Sequence, residues 1–321
     1  MKHIAILTGG PSAERSISEK SASCVASYLN TKKYTHRYIL MEKHGWIDRE
    51  SGVAIDLNDF SLTLKGRREY FDLVLLMIHG TPAEDGKIQG YFEYLGIPHS
   101  TCNTLSASLT FNKQKCKDFL SAHEVSLAPS YVVAKGEAYD QEQMLALGLP
   151  LFVKPNNNGS SYGITKVKAA SDLNRAIQHA FEFDDEAIVE AFLDGREFGC
   201  GVVKDGQQLH VFPLTEIIPE TEFFTFAAKY EGASEEVTPA NLSPHLSGQC
   251  QNISAKLYKL LSCRGMVRFD FILVGETFYL LEANTIPGLS EASIIPQQAV
   301  AYGWSITKLL DVVITDCLRW D

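Results

Sequence analysis

The usual signatures of nucleotide binding are missing from this sequence. The glycine pair in TGGPSAERS lacks G-x-G-x-x-G spacing, which argues against a dinucleotide fold. A Walker loop is absent too, because the lysine of LFVKPNNNGSSYGITKV (151–167) precedes its glycine-serine turn instead of following it. Seven cysteines, at 24, 102, 116, 200, 250, 263 and 317, include no CxxC pair. Their odd number and scattered spacing fit neither a zinc site nor a disulfide framework. They read as thiols of a reducing compartment, so a cytoplasmic location is expected. No apolar run is long enough to span a bilayer, and MKHIAILTGG reaches its glycines too early for a signal peptide. Basic residues are outnumbered, 29 against 39, for a formal net charge of −10. That balance disfavours nucleic acid and anionic membranes as partners, while a local basic pocket for phosphate stays open. Neither internal repeats nor low-complexity segments occur.

What remains is an ordinary globular composition, 45% hydrophobic and 21% charged over 321 residues, enough for two or three domains. The first hundred residues alternate strand and helix. HIAIL (3–7) is a short apolar strand, a helix runs over 14–29, and DLVLLMI (72–78) reads as a strand covered on both faces. KIQGYFEYLG then repeats apolar residues at helical spacing through Ile88, Tyr91, Phe92 and Leu95. This is α/β architecture, in which ligands favour loops at the carboxyl ends of strands. Beyond residue 100, TLSASLTFNKQKCKDFLSAHE reads as a helix. LFVKP, TKVKA and AIVEAFL read as short strands, and EFGCGVVKD and QLHVFPLTEII as longer antiparallel ones. The polar stretch 218–241 reads as a long loop, 266–284 as a strand pair, and the last helix carries Ile306, Leu309, Leu310 and Val313 behind a Ser305 cap.

The strand pair GMVRFDFILVGETFYLLEANTIPG holds the strongest chemical signal. Arg268 and Asp270 share one strand face, as do Glu282 and Asn284. An odd hairpin loop would place all four on the same face, and an even loop would split them. Together, Asp270, Glu282 and Asn284 form an all-oxygen set suited to Mg²⁺ rather than zinc. Upstream, Lys154 ends an apolar strand at the mouth of a loop whose glycines and two hydroxyls, Ser160 and Ser161, can wrap phosphate oxygens. A plain Gly/Asn/Ser hairpin turn has the same composition. Paired with a downstream metal set, the loop becomes the phosphate half of an ATP–Mg²⁺ site. Glu190 and Glu197, in AIVEAFLDGREF, can accept hydrogen bonds from adenine or ribose, or serve as surface carboxylates. Glu14 opens a helix, where a carboxylate stabilises the macrodipole and can also bind an ammonium. His79, with Glu84, occupies a loop of the same kind and could equally brace it.

Taken in order, these pieces resemble the D-alanine–D-alanine ligases of the ATP-grasp superfamily over nearly the whole chain. The matching motifs are GGPSAERSIS, HGTPAEDGKIQG, NKQKCK, FVKPNNNGSSYGITKV, GREF, AAKYEG, RFDFIL and LLEANTIPGLSEAS. The resemblance implies a Rossmann-like N-terminal parallel-sheet domain (1–100) followed by a two-part ATP-grasp fold, α/β then α+β. Its central domain would span 101–195, and its C-terminal domain, with the metal site and lid loop, 196–321. It implies that two D-alanine molecules are joined with ATP through a D-alanyl phosphate, for peptidoglycan precursor synthesis. Two Mg²⁺ ions, with Mn²⁺ as an alternative, and a homodimer are implied as well.

By the same resemblance, Lys113 and Lys154 would hold the α- and β-phosphates, with the 159–163 loop closing over them. Glu190 and Glu197 would take adenine and ribose, and Asp270, Glu282 and Asn284 the metal ions. Glu14 would bind the first substrate's ammonium, near His79. Ser160 and Tyr230 would link to Glu14 across the domains, and Lys229 would approach the transferring phosphate. Arg268 would stabilise the oxyanion and Ser293 the second substrate's carboxylate. The chain departs from the family pattern at Phe224 and Phe226, where tyrosines are common, at HSTC (99–102) and at FNK (111–113). Three rivals share the fold: a D-alanine–D-lactate ligase, another ATP-grasp carboxylate–amine ligase and a non-catalytic ATP-binding regulator. Tyr230 favours the dipeptide over the ester, Glu14 and Ser293 disfavour the second rival, and the intact Arg268 and metal set disfavour the third.

Overall fold

A computed structural model describes residues 1–12, 14–159, 162–219 and 234–319. In the first sheet Lys2–Gly9 lies between the parallel strands Tyr34–Glu42 and Leu73–Leu76, and Gly45–Asp48 adds an antiparallel edge. Every residue of Leu73–Leu76 is buried, as a parallel strand covered on both faces requires. The helix Arg15–Tyr28 makes the crossover that parallel neighbours need. Gly9 ends the first strand with φ +92°, and a Cβ there would lie 2.9 Å from the Met41 carbonyl oxygen, so only glycine allows this turn toward the site.

The single helix expected beyond residue 103 is two helices, Thr104–Phe111 and Lys113–Ser121. Asn112 divides them: its backbone is extended at ψ 105°, and its side chain accepts from the Lys115 N–H as an N-cap. The break makes Lys113 the first helical residue and sets Lys117 one turn further along the same face. Next comes an antiparallel sheet ordered Thr165–Val167, Leu151–Pro155, Glu186–Ala191, Ser130–Ala134.

The largest sheet runs Ser234–Val237, Thr215–Pro219, Arg196–Asp205, Met266–Val274, Thr277–Asn284, with Gln208–Val211 also paired to Arg196–Asp205. The expected strand 208–218 is thus two strands, parted at Pro213, which has no N–H for a ladder. The expected loop 218–241 begins and ends in paired strands, Pro219 opposite Ser234. Residues 220–233, including Phe224 and Phe226, lie outside the described residues.

The hairpin loop at Gly275 and Glu276 is even, since Val274 pairs directly with Thr277. Continued without interruption, that register would put the two polar pairs on opposite faces. A β-bulge corrects it. Phe271 pairs with Leu280 but Asp270 pairs with Glu282, so Leu281 is skipped, and Arg268 then faces Asn284. All four polar residues share one face.

The last helix, Ile306–Cys317, starts from the expected Ser305 cap and buries Leu309, Leu310 and Val313, each worth about 1.5–3 kcal/mol. Its partners include Ile4, Ile6 and Val25 from the first strand and helix, and Val203 and Phe212 from the large sheet. The seven cysteines are all free thiols, and six are buried.

The helix Ile294–Ala301 is fastened to the large sheet by the buried Gln298. Its amide donates to the Gly199 carbonyl (2.8 Å) and Thr215 Oγ1 (3.1 Å), and its oxygen accepts from the Gly201 N–H (2.9 Å). Gln298→Leu leaves the Gly201 N–H unpaired and is expected to cost about 1–3 kcal/mol, read by urea denaturation.

Candidate active site

Two clefts lie against the large sheet. One, of about 760 Å³, is lined by Glu14, His79, Arg268, Asp270, Asn284 and Ser293. The other, of about 410 Å³, is lined by Lys154, Glu190, Phe152, Phe192, Leu280 and Leu281. Lys113, Asn158, Gly159, Glu197 and Glu282 line both, so the clefts meet there. Lys113, Glu197 and Glu282 all reach this junction, from a helix and two strands far apart in the chain.

In the first cleft the hairpin delivers a compact polar cluster. Arg268 Nε and Nη2 grip both oxygens of Asp270 at 2.7 and 2.8 Å, and Asn284 Nδ2 donates to Asp270 Oδ2 at 2.9 Å. Asn284 Nδ2 also lies 3.5 Å from Glu282 Oε1. Arg268 and Asp270 are buried, which makes their bidentate pair a strong, oriented one. The oxygens of Asp270, Glu282 and Asn284 can hold a hard divalent cation beside the guanidinium.

Glu14 is the residue before the helix Arg15–Tyr28, not one of its first turn, and its carbonyl accepts from the N–H groups of Ile17 and Ser18. The Glu14 N–H donates to Ser12 Oγ (3.2 Å), which itself donates to the His79 carbonyl (2.7 Å), tying the two loops together. The His79 N–H donates to Ser18 Oγ, and its ring Nε2 lies 3.3 Å from Ser21 Oγ. His79 therefore braces this loop as well as lining the cleft. A Cβ at Gly80 would lie 3.3 Å from Glu14 Oε2, and one at Gly159 would lie 3.4 Å away, so glycines of two loops surround this carboxylate. Across the cleft, Ser293 stands at the N-cap position of Ile294–Ala301, and its hydroxyl pairs with Ser290 Oγ (2.8 Å) instead of capping the helix. An anion is favoured at such a helix start.

The second cleft contains a buried charge cluster. Lys154 Nζ donates to Glu190 Oε2 at 2.7 Å, while Lys117 Nζ donates to Glu190 Oε1 at 2.5 Å and to the Ala128 carbonyl at 2.6 Å. Burial pushes the Glu190 carboxyl up, but Lys154 and Lys117 outweigh it and hold the pKa below its usual value. Lys113 Nζ donates to the Asn158 carbonyl at 2.5 Å. Its pKa is lowered to about 8, by burial first and by Lys154 in addition, against the opposing pull of Glu282, Glu190 and Glu84. Lys166 lies over the ring of Phe192, a lining residue of this cleft, 4.0 Å from its centroid.

Of the residues expected from sequence, Ser160, Ser161, Lys229 and Tyr230 lie outside the described residues. The others converge on the two joined clefts. Sequence reasoning passed over Lys117 and the apolar walls. Spacing contained a signal for each: Lys117 is one helical turn after Lys113, and Phe152 is two residues before Lys154 on the same strand.

A parallel-sheet unit followed by two antiparallel sheets, with a polar cluster between them, is the architecture of ATP-grasp proteins. Two family models match: D-ala D-ala ligase N-terminus over residues 3–102 and D-ala D-ala ligase C-terminus over residues 121–315. A D-alanine–D-alanine ligase of Phocaeicola vulgatus is 42% identical over 316 residues, covering 97% of this chain and 98% of that protein. One of Flavobacterium johnsoniae is 43% identical over 313 residues, covering 96% and 97%. Among solved structures, D-alanyl-alanine synthetase A from Vibrio cholerae superposes with TM-score 0.90 at 27% identity, covering 99% of this chain and 98% of that one. The Bacillus anthracis D-alanine–D-alanine ligase complexed with ATP gives 0.82 at 29% identity, with 99% and 98% covered. The chain belongs to the D-alanine–D-alanine ligase family.

Glu190→Gln removes the buried carboxylate held between the buried Lys154 and the partly buried Lys117. It is expected to destabilise the fold by about 3–5 kcal/mol, measured by chemical denaturation at neutral pH.

Proposed function

We propose that this protein joins two molecules of D-alanine, with ATP consumed to ADP and phosphate, giving D-alanyl-D-alanine for peptidoglycan precursors. The observation that carries this reading is the near-complete alignment at 42–43% identity with D-alanine–D-alanine ligases, with Arg268, Asp270, Glu282 and Asn284 gathered on one sheet face. That intact cluster also speaks against a non-catalytic regulator.

The chemistry assigns a task to each group. A carboxylate is a poor electrophile, so the first D-alanine takes the γ-phosphoryl group of ATP to become an acyl phosphate. The amine of the second D-alanine attacks the acyl carbon, and phosphate leaves. In our reading the second cleft takes the purine between Phe152, Phe192 and Leu281, with Glu190 at its amino edge and Glu197 at the ribose. Lys113 and Lys154 hold the α- and β-phosphates, under the 159–163 loop with Ser160 and Ser161. The first cleft takes the amino acids, with Glu14 on the first ammonium beside His79 and Ser293 on the second carboxylate. Arg268 offsets oxyanion charge, the kind of fixed electrostatics worth several kcal/mol. Asp270, Glu282 and Asn284 are the residues to hold two Mg²⁺ ions, which when bound would neutralise charge on the phosphates. Lys229 and Tyr230, with the segment around them, are assigned to closing the site. Acyl phosphates hydrolyse, so water must be kept out. We further propose a cytoplasmic homodimer divided at 1–100, 101–195 and 196–321. Among the described residues no helix is long and apolar enough to cross a membrane.

The test is phosphate release from ATP and Mg²⁺ with D-alanine, L-alanine, or D-alanine plus D-lactate, with products identified by mass. Release with D-alanine alone and a D-alanyl-D-alanine product is expected. An ester product would move the assignment to depsipeptide synthesis. Asp270→Ala is expected to abolish turnover, and full activity at low Mg²⁺ would sink the metal assignment. A pH effect should accompany this: Lys113 is cationic below about 8 and loses its charge above it. Calorimetric affinity for metal-free ATP is therefore expected to fall as pH rises through 8, and Lys113→Arg should remove that decline.

A further inference from the structure

Glu190 has two lysines, and they approach it from different sides. Lys154 lines the nucleotide cleft and holds Oε2. Lys117 is not among the cleft's lining residues; it reaches Oε1 from the helix Lys113–Ser121 and is anchored at its other side by the Ala128 carbonyl. Lys117 is 13% exposed at its side chain and Glu190 9%. In the proposed reaction Lys154 serves a phosphate, and an ammonium group cannot stay fully committed to Glu190 while it does so. We infer that Lys117 is a positioning residue, the fixed counterion that keeps Glu190 an ionised acceptor when Lys154 turns to the nucleotide, and so sets the preference for an aminopurine.

The argument rests on the proposed ATP-dependent function and on hydrogen-bond polarity. An ionised carboxylate only accepts, which suits the exocyclic amino group of adenine and repels the carbonyl oxygen of a 6-oxopurine. A protonated carboxyl can donate, and the discrimination weakens. Burial favours the protonated form, and two nearby cations offset it. With Lys117 gone, ATP binding would leave Glu190 sharing its last directly bonded cation, Lys154, with a phosphate, while Lys113 acts on it only through space and is itself assigned to a phosphate. Glu190 would then protonate more readily as pH falls, and ATP binding would weaken in that direction. D-alanine, bound in the other cleft, would not sense the change.

The experiment compares the full-length protein with K117Q, K117M and K117R. Calorimetric binding of ATP and inosine triphosphate, and KM for ATP and D-alanine, are measured from pH 6 to 9 alongside Tm. For K117Q the ATP KM is expected to rise about tenfold, the scale of one hydrogen bond to a charged group, and to rise further toward pH 6. The D-alanine KM should stay put, the preference for ATP over inosine triphosphate should narrow, and K117R should restore both. K117M serves in the same comparison if K117Q does not fold. Unchanged ATP binding and purine preference in the neutral variants would overturn the inference. So would a lowered Tm with both KM values raised together and no rescue by arginine, the pattern of a merely structural lysine. Wild-type protein that binds ATP without forming dipeptide would refute the ligase reading instead, and the binding comparison would still decide the role of Lys117.

Discussion

The polar cluster of this protein depends on a constraint of strand parity, because side chains alternate across a sheet and a two-residue turn fixes which ones face each other. With Gly275 and Glu276 as the turn, Asp270 and Glu282 belong on opposite faces until Leu281 is skipped. One extra residue in one strand therefore gathers two carboxylates, an amide and a guanidinium on the face toward the cleft. The bulge also has a second use, since Leu281 itself helps wall the neighbouring cleft. The polar and apolar halves of the site are set by the same irregularity.

Around this hairpin the charges are arranged in two tiers. Asp270 is held by Arg268 and Asn284 within the hairpin, so its orientation is settled before any ligand arrives. Glu190 is held by lysines from two other elements, one on the cleft side and one behind it. Buried ion pairs of this kind are weak sources of net stability, since desolvation consumes much of the attraction. What they provide is fixed direction in a low-dielectric wall. Lys113, at the junction, shows the cost of the same surroundings in its lowered pKa.

Much of this was legible in the sequence, for reasons that differ by element. The continuous apolar run at 72–78 and the periodic, capped stripe from Ser305 are legible in the sequence, as are the strands flanking the glycine-serine turn. The polar residues of the last hairpin could be named, but their common face could not, since periodicity does not reveal where a bulge falls. The break at Asn112 was missed because apolar spacing continues through it, although asparagine before lysine is a cap signal. Ser234–Val237 was missed since SEEV, polar and short, gains its strand character from pairing with Thr215–Pro219. Lys117 belongs to no motif, and only the approach of a strand some seventy positions later gives it meaning.

The closing helix Ile306–Cys317 completes a core begun by Ile4, Ile6 and Val25. A chain synthesised from its amino end must therefore leave those side chains without these partners until residues 306–317 have emerged. Contacts between such distant positions carry a large loop-closure cost and slow folding. Loss of Ile306–Cys317 would leave apolar side chains of that shared core, Val25 and Val203 among them, without their covering helix, the kind of exposed surface that invites association between partly folded chains.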